Sequence, residues 1–100
     1  MDDAQILSQI THGEERGLEA AINQYAPLVA SVIRSKSGQS LSSMDVEELT
    51  SDVFVSLWQG ASAITSNNLK AWLCRVARNK TVDLLRKPRL EAPFEEQLLY

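Results

Sequence analysis

The stretch Leu69-Lys70-Ala71-Trp72-Leu73-Cys74-Arg75-Val76-Ala77-Arg78-Asn79-Lys80-Thr81-Val82-Asp83-Leu84-Leu85-Arg86 decides how the chain is read. It contains no proline or glycine, and its apolar residues recur at helical rather than alternating spacing. On a helical projection Leu69, Trp72, Leu73, Val76, Ala77 and Leu84 fall on one side. Arg75, Arg78, Asn79, Val82 and Arg86 fall on the other. Within that second set Arg75, Asn79, Val82 and Arg86 align as one stripe, with Asp83 at its edge. The helix is expected to stop before Pro88, because the residue ahead of a proline resists the helical region. Lys80 falls within the apolar arc, where a lysine lays its stem along apolar surface and keeps its ammonium in water. Guanidinium groups suit phosphates, and an amide can read a base edge in bidentate fashion. Such a face is also an ordinary solvated helix surface when nothing binds it.

Reading upstream, Ala61 to Asn68 is small and polar and is expected to be a loop, with Asn67 or Asn68 capping the last helix. Before it, Asp45 and Glu48 form a D-x-x-E start signal ahead of an apolar run. Val46, Leu49, Val53 and Leu57 share one stripe of that helix, and Gly60 is its expected stop. The opposite face carries Glu48, Ser51, Asp52, Val55 and Gln59, an acidic surface with one exposed valine. It is either solvated or a docking face whose carboxylates steer a partner. Trp58 and Trp72 are expected to be mostly buried, and Cys74 to act as a small apolar residue. Nearer the start, Ile6, Leu7 and Ile10 mark a helix over Asp3 to Thr11, which Gly13 ends. A second helix turns Leu18, Ala21 and Ile22 inward. Pro27 kinks or breaks it, and Leu28, Val29, Val32 and Ile33 carry the stripe on to Ser35. Ser37 to Ser40 is a loop by composition. The expected fold is therefore all-α, a compact bundle of four or five helices.

One hundred residues suffice for one modest core and not for two. No apolar run approaches the roughly 18–20 residues of a membrane span. The opening Met1-Asp2-Asp3 is acidic, so no secretory leader is expected. Cys74 is the only cysteine and His12 the only histidine, which excludes a disulfide, a cysteine cluster and a histidine-dependent triad, and fits a cytoplasmic location. There is no phosphate-cradling glycine loop and no nucleophile with a base beside it, so neither catalysis nor a cofactor nor a metal is expected. The net charge of −3 argues against nucleic acid until it is mapped. Residues 1–68 hold nine acids and three bases, a balance of −6. Residues 69–90 hold seven bases and one acid, +6, and residues 91–100 add three acids. Charges screen over roughly 8–10 Å, so the basic block acts on its own and two partners of different character are implied.

Two runs carry a resemblance. Asp45-Val46-Glu47-Glu48-Leu49-Thr50-Ser51-Asp52-Val53-Phe54-Val55-Ser56-Leu57-Trp58 resembles the D-A-E-D-L-T-Q-E-V-F-x-x-L-W signature of bacterial extracytoplasmic-function sigma factors. Ala71 to Arg86 is similar to their W-L-x-R-I-A-R-N-x-x-x-D-x-L-R run. Leu7 to Glu15, followed by Tyr25-Ala26-Pro27-Leu28-Val29, resembles their first helices. The resemblance covers about residues 5–90 and implies region 2 of a sigma factor over residues 1–88. Residues 89–100 would begin a linker or tail.

The family implies two contacts. The α-helix with the acidic signature would bind the clamp helices of the largest subunit of core RNA polymerase, through Asp45, Glu48, Ser51, Asp52 and Val55. The last helix and the loop before it would hold and melt the non-template strand of the promoter minus-ten element. Asn79 and Asp83 would lie near the bases, Arg75, Arg78 and Arg86 near phosphates or on the core-facing flank, Val82 on the same DNA-binding face, and Ser66, Asn67 and Asn68 in the loop Gly60–Asn68 that would hold a flipped base. An anti-sigma factor is a further expected partner. Ser51 and Asp52 are shorter than the family's usual Gln and Glu, and the loop lacks the aromatics and charges of many relatives. The module that reads the minus-thirty-five element in full-length members is missing, which implies a piece of a longer protein. The alternative is a helical interaction domain that mimics region 2 without binding DNA; it would leave the arginine face covered or neutralised. A helix-turn-helix duplex reader fits less well, because the turn before the last helix exceeds the usual 3–4 residues.

Overall fold

The computed structural model describes residues 1–87. The expected linker over 89–100 lies outside the described residues. Among the described residues there are four α-helices: α1 (Asp3–Thr11), α2 (Glu15–Ser37), α3 (Ser43–Gly60) and α4 (Leu69–Arg86). Two 3-10 turns, Ala61–Ala63 and Ser66–Asn68, stand where the polar loop was expected. All elements among the described residues are helical, as the apolar periodicity requires.

α2 packs on each of the other three helices. Its buried residues explain how. Gly17, Ala21, Tyr25, Val29, Ile33 and Ser37 follow one another at four-residue intervals. Each step overshoots a helical turn by about 40°, so the stripe winds through about 200° along the helix. The start of α2 meets α1 at Gly17 and borders α3 as well, and its C-terminal half lies beside α4. Gly17 sets the α1 crossing: a Cβ there would stand 2.8 Å from Gln9 Cβ and from the Ile6 carbonyl oxygen. Of the kink or break expected at Pro27, the break does not occur: the helix runs through the proline for 23 residues. The proline is exposed, so the backbone group it leaves unpaired faces water. Gly38, at a φ of 59°, ends α2 in the left-handed region that glycine enters without penalty.

The core joins Ile6, Val29, Ile33, Val53, Leu57, Leu69 and Leu73, all fully buried. Each such side chain contributes roughly 1.5–3 kcal/mol through removal of apolar surface from water. The α3 stripe of Val46, Leu49, Val53 and Leu57 is buried as expected, with Phe54 beside it. In α4 the buried positions are Leu69, Leu73, Ala77 and Thr81. Thr81 is tolerated because its hydroxyl donates to the Ala77 carbonyl at 2.7 Å.

Local signals were displaced in four places. The cap of α3 is Ser42, which accepts from the Asp45 backbone amide, while Asp45 reaches back to the Ser42 amide at 3.1 Å. Asp45 is thus the third helical residue of a capping box and not the start. Gly60 lies inside α3 at a φ of −114°, so it is no left-handed stop. Asn68 occupies the cap position of α4 without a capping bond, and its side-chain amide donates to Thr65 Oγ1 at 2.8 Å instead. Ile22, expected inward, is 38 % exposed, because the winding of the α2 stripe carries that position out of the core.

Tyr25 ties α1 to α2. Its hydroxyl donates to Asp3 Oδ1 at 2.7 Å, and burial, reinforced by that carboxylate, pushes its pKa from 10.0 up to about 12. A raised folded-state pKa means the protonated form is favoured in the fold. The stabilisation is whole below pH 10.0 and is lost as pH rises through about 12. Tyr25→Phe is expected to flatten the fall in thermal stability across that window, measured by circular dichroism melts at stepped pH. Gly17→Ala is expected to destabilise the domain by about 1–3 kcal/mol in urea unfolding, since neither the Gln9 Cβ nor the Ile6 backbone can yield freely.

Candidate functional site

α4 stands as a ridge with a groove on either side. α2 and α4 run parallel: Gln24 and Tyr25 lie beside Ser66 and Asn67, and Ser35 and Lys36 lie beside Arg78. α3 runs the opposite way, which sets Asp45 near Lys87 and Leu84. On the crest, Arg75, Arg78, Asn79, Asp83 and Arg86 are exposed and Val82 is half-buried. Among the described residues no ion pair joins Arg75, Arg78 or Arg86 to a carboxylate. The stripe legible in the sequence is therefore a free cationic surface with one amide in it.

The start of this ridge meets the turn before it. Thr65 Oγ1 donates to Asn67 Oδ1 at 3.0 Å, and Asn68 donates to Thr65, so the turn is braced by its own side chains. Between turn and helix lies a pocket of about 230 Å³ lined by Ile64, Thr65, Asn68, Trp72 and Arg75, among others. That is below the ~300–1,000 Å³ of a drug-sized site and suits a single planar ring. Trp72 forms part of its wall, and its ring also reaches within 3.8 Å of where a Cβ on Gly60 would stand. The aromatic that the turn itself lacks is thus supplied by α4. Asn68 lines this pocket, whereas Ser66 and Asn67 face the neighbouring hollow beside Asp2, Asp3 and Tyr25.

The α3 face divides in two. Glu48, Ser51, Asp52 and Val55 are exposed and Asp45 is half-buried. Asp45, Glu48 and Asp52 line a groove of about 330 Å³ against α4, where Lys80, Asp83 and Lys87 join them. Asp83 therefore sits among the α3 carboxylates. Ser51 and Val55 line a second, apolar groove of about 510 Å³ between α3 and the start of α2. Its walls are Leu18, Ile22, Phe54 and Trp58, with Glu15 and Glu19 at the rim. Trp58, expected to be buried, is 36 % exposed there, beside Val55 at 53 %. The sequence did hold a signal for it: Ser51, Val55 and Trp58 are spaced four and three, on the outward stripe of α3 rather than its core stripe. Clustered exposed apolar side chains of this kind mark interaction surfaces.

Among the described residues no group of three or more His, Cys, Asp or Glu side chains is arranged to hold a metal, and no helix is long and apolar enough to cross a membrane. The described residues thus form an all-helical domain with a cationic ridge, a ring-sized pocket at its start and an acidic and apolar face behind it. Residues 21–90 match the Sigma-70 region 2 family, and the chain belongs to that family. It is a region 2 domain of the sigma factor family, which acts in transcription initiation with RNA polymerase and promoter DNA. No curated protein and no solved structure matches the chain.

The two tryptophans should report the two faces separately. In Trp72→Phe the remaining Trp58 emission is expected to be quenched by acrylamide more steeply than the Trp72 emission that remains in Trp58→Phe, measured by steady-state Stern–Volmer titration.

Proposed function

We propose that this domain belongs to the extracytoplasmic-function group, docks on the clamp helices of the largest polymerase subunit through α3, and holds the melted non-template strand of the minus-ten element along α4. The observation that carries the reading is the exposure of Arg75, Arg78, Asn79 and Arg86 on one helix without a carboxylate partner among the described residues. A protein that only mimics region 2 would have that face covered or neutralised. The ridge supplies charge along a strand, Asn79 supplies a base-edge amide, and the Trp72 pocket supplies a place for an unstacked base.

The protein partner meets a different chemistry. Glu48 and Asp52 steer a basic or mixed helix toward α3, and Ile22, Val55 and Trp58 give it apolar surface to bury. Ser51 and Asp52 are short, so the apolar groove carries a larger share of the contact. An anti-sigma factor would compete for the same groove. Work on promoter DNA with polymerase places the domain in the cytoplasm.

Two substitutions separate the faces. Asp52→Arg is expected to abolish capture by core polymerase in a pull-down while leaving the helical circular dichroism spectrum intact. Asn79→Ala is expected to keep polymerase capture and to weaken binding of the single-stranded minus-ten oligonucleotide by roughly 5- to 150-fold, the worth of one bidentate amide–base pair. Wild-type capture and transcription in both variants would end this reading.

A further inference from the structure

The sequence places seven of the ten bases in residues 69–90, yet the cationic surface does not end with that block. Between the C-terminal half of α2 and the middle of α4 lies a cleft of about 260 Å³ lined by Ser31, Val32, Ser35, Lys36 and Arg78. Ser31 and Ser35 are one turn apart on α2, so their hydroxyls share a side of the cleft. Lys36 and Arg78 enter it from different helices and both are exposed. The lining holds two cations, two hydroxyls and no carboxylate.

We propose that this cleft seats the backbone phosphates of the single strand that α4 holds, with Lys36 and Arg78 as the cations and the Ser31 and Ser35 hydroxyls as neutral donors. The proposal rests on the promoter-binding reading and adds α2 to the DNA surface. Two features direct the strand to this side of the ridge. The α3-side groove gathers the carboxylates of Glu48, Asp52 and Asp83 and attracts a polyanion less than a side without carboxylates. The α2-side cleft carries two positive charges. The carbonyl end of α2 subtracts only about half a charge from them. Screening over roughly 8–10 Å keeps the two sides electrostatically distinct. The track is also continuous. Arg75 lines the turn pocket and Arg78 lines the cleft, three residues and about 4.5 Å apart along α4. A strand whose base enters the turn pocket can pass its next phosphates over Arg75 to Arg78 and Lys36.

The test is the salt dependence of binding, which counts phosphate contacts. The chain in complex with core polymerase is titrated with a fluorescently labelled non-template minus-ten oligonucleotide at several salt concentrations. Lys36→Gln is expected to lower the slope of log K against log salt by about 0.7, and Lys36→Gln with Arg78→Gln by about 1.4. Arg16→Gln, which removes an exposed base at the far end of α2, is expected to leave the slope unchanged. A slope unchanged in Lys36→Gln, or an equal fall in Arg16→Gln, would overturn the cleft while the promoter reading stands. Failure of the wild-type complex to bind the oligonucleotide at any salt would overturn both.

Discussion

The winding stripe of α2 is the constraint on which the rest of the domain depends. A helix buried along one straight face can serve one neighbour, or two that straddle that face. A stripe stepping by four residues rotates as it climbs, so α2 packs on α1, α3 and α4 together, with Gly17 set against α1. Gly17 permits the closest approach, and Pro27 is harmless only because the unpaired group it creates faces water. Everything that positions the functional surfaces hangs from this one helix.

Its consequence is a division of labour around α4. With α2 parallel on one flank and α3 antiparallel on the other, the same ridge borders a carboxylate-free cleft and an acidic groove. The two flanks of the ridge therefore present opposite charge to whatever approaches them. The apolar groove between α2 and α3 lies farther back, where Trp58, Val55 and Ile22 are exposed together. A total charge of −3 hides this arrangement, because the field a strand feels is set by the nearest turn or two of helix.

Much of this was legible beforehand. Helix existence, the core stripes of α3 and α4, the exposed valine of α3 and the cationic stripe of α4 are all local patterns, repeating within three or four residues. The errors have local causes too. Ser42 took the capping role assigned to Asp45: its hydroxyl accepts from the Asp45 amide and the Asp45 carboxylate accepts from the Ser42 amide. Trp58 was expected to be mostly buried from the border of the apolar face, although its spacing from Val55 put it on the outward stripe. Ile22 was turned inward by assuming a straight stripe where the buried positions wind.

The sequence by itself determined the all-helical class, the amphipathic faces and the opposed charge of the two halves, because these follow from side-chain periodicity and composition. Only the tertiary structure decided which charges meet. Lys36 joins Arg78, Asp83 joins the α3 carboxylates, and Trp72 lends its ring to a turn that has none. Those pairings depend on the parallel run of α2 beside α4 and the antiparallel run of α3. Such directions are set by packing among residues far apart in the chain, and helical spacing carries no record of them.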